Sequence, residues 1–306
     1  MNRDKEKIME KMHGVITAMV TPFTADDHVD VATLRAYTEY LIAKGVHCLY
    51  PCGTTGEMLK MSTEERKLVA ETVVDQTAGR IPVFVHVGAM TTSQTIELAQ
   101  HAASIKAAGI GVVTPQFFSV TDREMEEYFV AVANSVPADF PVYLYCIPQC
   151  AGNDLPPALV DRIVARATNV VGVKYSYPDF IRVKNYLLCN SGNFDVVVGT
   201  DRLFLPALAM GCVGTVSGCS NCGPEPFVEV YSRYLAGDIL GARKAQAQAS
   251  MLCEITKNGA NMAVFKAAMA YHGLPLGHMR APALDLTEEE CADLYRKLDE
   301  YHSLYN

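Results

Sequence analysis

The sequence predicts an α/β protein, a (β/α)8 TIM barrel with a C-terminal helical extension. Three observations predict it. Short apolar, β-branched runs alternate with longer segments of helical period. Each run is continuous in apolar residues rather than alternating, the pattern of a parallel strand covered on both faces. Eight such runs follow one another at intervals of roughly two to three dozen residues, and then the strands stop near residue 224.

The expected strands are VITAMV (15–20), VHCLYP (46–51), PVFVHV (82–87), GVVTP (111–115), PVYLYC (141–146), VVGVKYS (170–176), DVVVG (195–199) and CVGTVS (212–217). Helix signals fill the gaps. Asp30 or Thr33 opens a helix that ends near Lys44, with Gly45 as the stop. Ser62 and Glu65 form a capping-box pattern. A helix runs from Thr92 to Ala107, and Thr121, Asp122 and Glu124 begin the next. Pro156-Pro157 places proline where a first turn tolerates it, and Asp179 and Asp201 precede two more helices. A doubly wound open sheet fits less well, because no G-x-G-x-x-G follows the first strand. The expected division is a barrel over 1–224 and an extension over 225–306, with helices at 226–236, 238–257, 261–272 and 288–302.

Composition narrows the function classes. Of 306 residues, 50% are hydrophobic and 20% charged, enough apolar material for a large core. The net charge is -8 and no basic cluster tracks a phosphate backbone, which argues against nucleic acid. The N-terminal MNRDKEKIMEKMHG is charged throughout, unlike a signal peptide, and no window approaches the ~18 apolar residues of a membrane span. A cytoplasmic protein is expected. Its ten cysteines then stay reduced, and Cys48, Cys146 and Cys212 lie in apolar runs that suit small buried hydrophobes. Cys219 and Cys222 form one C-x-x-C without the second pair or histidines a zinc site needs, so no metal is expected.

A barrel carries its site at the C-terminal ends of its strands. There the sequence places GTTGE (53–57), Tyr145, Lys174, Gly199-Thr200-Asp201-Arg202 and Ser217-Gly218. Lys174 is the odd residue, a lysine inside the apolar run VVGVKYS. Burying an ammonium is costly, and desolvation favours the neutral amine, a nucleophile toward ketones. The competing reading has the strand end early and Lys174 snorkel to water. Tyr145 ends the neighbouring strand and either relays protons across the barrel floor or is a core tyrosine bonded to backbone. GTTGE offers N–H groups and hydroxyls to a carboxylate or phosphate, or is an ordinary βα turn with Glu57 at a helix start.

Together these motifs resemble the dihydrodipicolinate synthase and N-acetylneuraminate lyase superfamily of pyruvate-dependent class I aldolases. The likeness runs from about Gly14 to Arg280. It is carried by GVITAMVTPF, by GTTGE with its following S-x-E-E, by Tyr145-x-x-Pro148, by the GVK of Gly172 to Lys174 and by the G-x-D of Gly199 to Asp201. The resemblance implies that Lys174 forms an imine with pyruvate and that Tyr145 shuttles protons. It implies that Thr54 and Thr55 hold the pyruvate carboxylate through backbone N–H and hydroxyl groups; Thr54 is expected among the catalytic residues, and Gly53 and Ser217, at the ends of the second and eighth strands, among the substrate-binding ones. It also implies a homotetramer built as a dimer of dimers, and no metal or organic cofactor, because the protonated imine withdraws electrons itself.

The departures concern the second substrate. Phe117 stands where both enzymes have a tyrosine after the fourth strand, and Cys150 where both have an arginine. Arg202 and Gly218 replace the glutamate and serine with which sialic-acid lyases bind sugar hydroxyls. Phe117 leaves the proton relay across the dimer interface without a hydroxyl, Cys150 argues against a true dihydrodipicolinate synthase, and Arg202 and Gly218 argue against N-acetylneuraminate as substrate. These changes point to a hydroxylated or acidic 2-keto acid whose distal end meets Arg202, Gln149 and Cys150, unless Arg202 is a solvated helix-face residue. Three functions follow: an aldolase or condensing lyase using a 2-keto acid and an aldehyde, a hydro-lyase acting on a sugar-derived 2-keto acid through the same lysine, and a catalytically silent barrel that binds a keto acid or a partner.

Overall fold

The computed structural model describes residues 9–305. Most of the charged N-terminal stretch discussed above lies outside them. Eight strands, all parallel, are β1 (Gly14–Ala18), β2 (Cys48–Tyr50), β3 (Phe84–His86), β4 (Gly109–Val113), β5 (Val142–Cys146), β6 (Val170–Tyr175), β7 (Asp195–Val198) and β8 (Gly214–Ser217). Their order is β2-β1-β8-β7-β6-β5-β4-β3, and a parallel bridge between Leu49 and Val83 joins the two ends into a barrel. The predicted class is the observed one.

Helices alternate with the strands: α1 (Val31–Ala43), α2 (Thr63–Thr77), α3 (Thr92–Ser104), α4 (Asp122–Ala133), α5 (Pro148–Ala151), α6 (Pro157–Arg166), α7 (Phe180–Leu187), α8 (Phe204–Met210) and α9 (Glu225–Leu235). The chain then adds α10 (Ile239–Ile255), α11 (Ala263–Tyr271) and α12 (Glu288–Tyr305). α9 packs on α8, α10 and β1. No described helix is long and apolar enough to cross a membrane.

The local signals act as expected where a side chain satisfies a free backbone donor. Asp30 accepts from Thr33 N at 3.0 Å, Asp179 accepts from Arg182 N at 3.0 Å, and Ser62–Glu65 and Thr121–Glu124 each close a capping box. The departures have local causes. β1 ends at Ala18 rather than Val20, because the Val20 N–H leaves the sheet for Asn221 Oδ1 at 3.1 Å. α3 ends at Ser104 rather than Ala107, and Lys106, at φ 61°, takes the left-handed conformation that stops a helix. Asp201 caps nothing. It begins a 3-10 turn, and its carboxylate turns to β8, accepting from Ser217 Oγ at 2.8 Å and Cys219 N at 3.2 Å.

The main core lies between the strands and the helices, and a second cluster fills the barrel with Ile16, Cys48, Tyr50, Phe84, Tyr143 and Val216 among its members. Gly111 makes room for one of these rings. A Cβ there would lie 1.9 Å from Tyr50 Oη, so β4 must lack a side chain at that level. The barrel is thus a packed plug with its open end at the strand C-termini, and what projects there is set by strand register.

Candidate active site

Register places Lys174 beside Tyr145. The two pair across β6 and β5, so they stand side by side on neighbouring strands rather than across the floor. Lys174 is 5% exposed and Tyr145 2%. Lys174 Nζ lies 4.0 Å from the centre of the Tyr145 ring and 4.9 Å from that of Tyr50. The lysine therefore does not snorkel away. It ends between the rings of Tyr50 and Tyr145, buried from solvent.

The GTTGE turn stands between two residues in the left-handed region, Cys52 at φ 62° and Glu57 at φ 60°. Non-glycine residues rarely hold that conformation unless their surroundings enforce it. The turn is held from below: Gly56 N donates to Gly53 O at 3.1 Å, Glu57 N to Thr54 O at 3.1 Å, and Thr21 Oγ1 to Gly56 O at 2.8 Å. A Cβ at Gly56 would lie 2.9 Å from Met19 O, so only glycine fits. Among the described residues, the N–H groups of Thr54 and Thr55 have no acceptor. Two free donors on a fixed turn suit a carboxylate.

Glu57 does not begin an α-helix. It precedes a 3-10 turn, Met58–Lys60, and sits in a buried ion cluster. Lys60 Nζ lies 3.0 Å from Oε2, which also accepts from Arg280 N at 3.1 Å. Lys266 Nζ, on α11, lies 3.1 Å from Oε1. That ammonium is directed at the His278 carbonyl, so Oε1 feels its charge without an aligned hydrogen bond. Burial holds Lys266 below the ordinary lysine range, while Glu57 pulls it back up. Arg280 in turn bonds Asp27 and Glu65. The extension thereby clamps the GTTGE turn.

Beneath Lys174 lies His86, fully buried, its ring edge-on to Tyr145 at 5.9 Å. Nδ1 donates to Cys52 O at 3.0 Å, which leaves Nε2 as a buried acceptor without a partner. Burial, with Arg66 and Lys174 adding repulsion, keeps this imidazole well below the usual histidine range and therefore neutral. The sequence held a sign of both groups. His86 in PVFVHV and Lys266 in AVFKAAMA are polar residues inside apolar runs, as Lys174 is.

A cavity of about 370 Å³ opens beside this centre. Thr54 forms one edge, and Met58, Val113, Ile147 and Ala151, which pack on Tyr145, form its inner wall. Lys174 itself is not among the lining residues. Of the predicted distal residues only Cys150 lines the cavity. Gln149 is exposed and its Nε2 is held by Ser176 O at 2.7 Å. Arg202 is exposed and outside the lining. Ser217 is fully buried, its hydroxyl engaged by Asp201 and by Ser220 N at 2.9 Å, so it does not border the cavity. Phe117 is 82% exposed at φ 72°, edge-on to the equally outward Phe118.

Cys219 does not work with Cys222. It faces Asp201 and Cys253, and ligand atoms of these three lie within 4.8 Å of one another. The set is chemically able to hold a soft cation. In the structure Asp201 is hydrogen-bonded to β8, and the hydrogen-bonding contact with the free thiol of Cys253, together with burial, holds the Cys219 thiol well above its usual range.

A model of the dihydrodipicolinate synthetase family matches residues 11–301. A 4-hydroxy-tetrahydrodipicolinate synthase of Sorangium cellulosum is 36% identical over 292 residues, 94% of this chain and 96% of that protein. An uncharacterised DapA-like lyase of Halobacterium salinarum is 35% identical over 283 residues, 92% of each chain. Among solved structures, YagE, a prophage protein of the dihydrodipicolinic acid synthase family from E. coli K12 in complex with pyruvate, superposes with a TM-score of 0.91 at 30% identity, covering 96% of this chain and 99% of that one.

Proposed function

The chain belongs to the dihydrodipicolinate synthetase family, and from that premise we propose that it is a lysine-imine lyase acting on pyruvate or a close 2-keto acid. One observation carries the reading: Lys174 Nζ, almost wholly buried, stands 4.0 Å from the Tyr145 ring beside a turn with two unused N–H donors. The Thr54 and Thr55 N–H groups bind the pyruvate carboxylate, which aims C2 at the amine. Gly53 sets the turn, its carbonyl taking Gly56 N and Met58 N.

The amine adds to C2, Tyr145 delivers a proton to the departing oxygen, and water leaves. The protonated imine draws electrons from C3, whose proton passes to the Tyr145 oxygen and restores the phenol as C3 becomes an enamine. C3 then attacks the carbonyl carbon of an aldehyde. One C–C bond forms, and Tyr145 gives the new alkoxide a proton. Water hydrolyses the imine, restores the amine and frees a 4-hydroxy-2-keto acid. Read backwards, the same steps cleave that product. No metal or organic cofactor enters the sequence. The family reading also carries a homotetramer, and Phe117 and Phe118, 82% and 71% exposed, are side chains that an assembly would cover.

Borohydride trapping tests the proposal. Incubation with pyruvate and reductant should add one reduced pyruvyl group to the Lys174 peptide, read by mass spectrometry, and Lys174→Ala should give none. An unmodified wild-type protein, or an adduct on another lysine, overturns it.

A further inference from the structure

The cavity beside Tyr145 has a chemistry of its own. Its wall is mainly apolar: Met58, Leu59, Val113, Ile147, Met262 and Met279. Its one charged pair, Glu57 and Lys60, is closed on itself at 3.0 Å, and Lys60 Nζ also donates to Arg280 O at 2.8 Å. The cations just behind are engaged too. Lys266 faces Glu57, and Arg280 faces Asp27 and Glu65. Three cations thus meet three carboxylates, and among the described residues none is left over for an acidic ligand. A carboxylate entering here would be desolvated without a counter-charge, which is costly. A polyhydroxylated chain would fare little better, because most of the wall offers no partner to its hydroxyls.

The wall does favour an apolar body. Three methionines supply adaptable, polarisable surface that suits an alkyl chain or a ring. The polar members of the lining, apart from the Glu57–Lys60 ion pair, include Thr54, Gln116 and Asn261, and Gln116 Nε2 is buried without an acceptor. A mainly apolar pocket with a few polar groups is the pattern of a small-molecule site.

We propose that the second substrate is an uncharged aldehyde with an alkyl or aryl tail, held by Met58, Met262 and Met279. This replaces the acidic or hydroxylated partner expected from sequence, and it rests on the imine chemistry proposed above. In the reaction the aldehyde carbon joins C3 of the pyruvate enamine and its tail lies in the cavity.

The test uses the full-length protein with pyruvate and four aldehydes: benzaldehyde, 3-methylbutanal, glyceraldehyde and succinate semialdehyde. Product is measured by mass spectrometry and initial rate, with borohydride trapping alongside. The proposal expects kcat/KM for the better apolar aldehyde to exceed both polar ones at least tenfold. Met262→Arg, which sets a cation on the half-buried rim, should shift the ratio of succinate semialdehyde to 3-methylbutanal tenfold toward the acid. A polar aldehyde that matches or beats the apolar ones, a ratio unmoved by Met262→Arg, or a clean pyruvate adduct with no aldehyde turnover each overturns it. Loss of the pyruvate adduct in wild type is a different failure: it removes the imine chemistry and this inference with it.

Discussion

Lys266→Met is the sharpest probe of how the extension supports the site. Side chains of Lys266 and Glu57 are only 4% and 2% exposed, and their charges lie 3.1 Å apart. Removing one partner of a buried pair typically costs roughly 3–5 kcal/mol. Glu57 would keep Lys60 at 3.0 Å and the Arg280 N–H at 3.1 Å, so the loss belongs at the low end. We expect about 3 kcal/mol, or a Tm lower by roughly 6 °C at the ~2 °C per kcal/mol of a large domain. Glu57→Gln should cost a similar amount, and the double variant should cost less than the sum by ~1 kcal/mol or more. The pH dependence has a fixed sign. Burial lowers Lys266 from the ordinary 10.5, so at alkaline pH the unfolded chain binds a proton the folded one has released. Wild-type stability gains as pH rises through that window, and the methionine variant lacks the gain. The deficit measured by thermal unfolding should therefore widen toward pH 10. Additive singles, or a deficit that shrinks with alkali, would refute the argument.

Tyr145→Phe should retain the ring beside Lys174 and lose the proton relay, so turnover should fall about 10²–10⁴-fold, with imine trapping slowed as well; unchanged kinetics would place the relay elsewhere. In acid, His47 matters: burial first, then His13, lowers it to about 4 while the unfolded ring titrates near 6.5. The unfolded state alone takes up that proton between those values, so stability should fall as pH drops from 6.5 toward 4, and His47→Asn should flatten the fall in acid unfolding curves. Brief treatment with a small maleimide should label Cys150, the one exposed cysteine, while Cys48 and Cys146, pushed up to about 12 by burial, stay unlabelled in peptide maps. Rapid labelling of the buried pair would mean the barrel opens.

Much of the fold could be read because its code is local. Continuous apolar runs mark strands covered on both faces, and Ser62–Glu65 or Asp30 mark helix starts by bonds spanning only three residues. Lys174 stands out in the sequence because a lysine in such a run is an anomaly with a short menu of causes, and Tyr145 because it ends the neighbouring strand, with which Lys174 pairs in register. Of the distal residues Cys150 lines the cavity, whereas Gln149 and Arg202 do not, because side-chain direction after a strand end is not a local property. Gln149 turns to Ser176 O, and Ser217 is drawn inward by Asp201, a residue 16 positions away in sequence. The ion cluster was invisible for the same reason, since Glu57 meets Arg280 N across 223 residues.

The division of labour between barrel and extension follows from these distances. Imine chemistry needs groups fixed to tenths of an ångström, and β5 and β6 fix Lys174 and Tyr145 by ladder register. The partner's tail needs only a wall of suitable polarity, and that wall comes partly from Ala260, Met262, Met279 and Ala283, all beyond the last strand. Substitutions there can change the partner without touching the amine. Glu57 limits that freedom. It belongs to the GTTGE turn that would hold the keto acid, yet its charge is balanced by Lys266 on α11. The extension can therefore vary at its methionines but not at its lysine. Variants that exchange Met262 or Met279 should redirect specificity, while any loss of Lys266 should weaken pyruvate binding before it alters the choice of aldehyde.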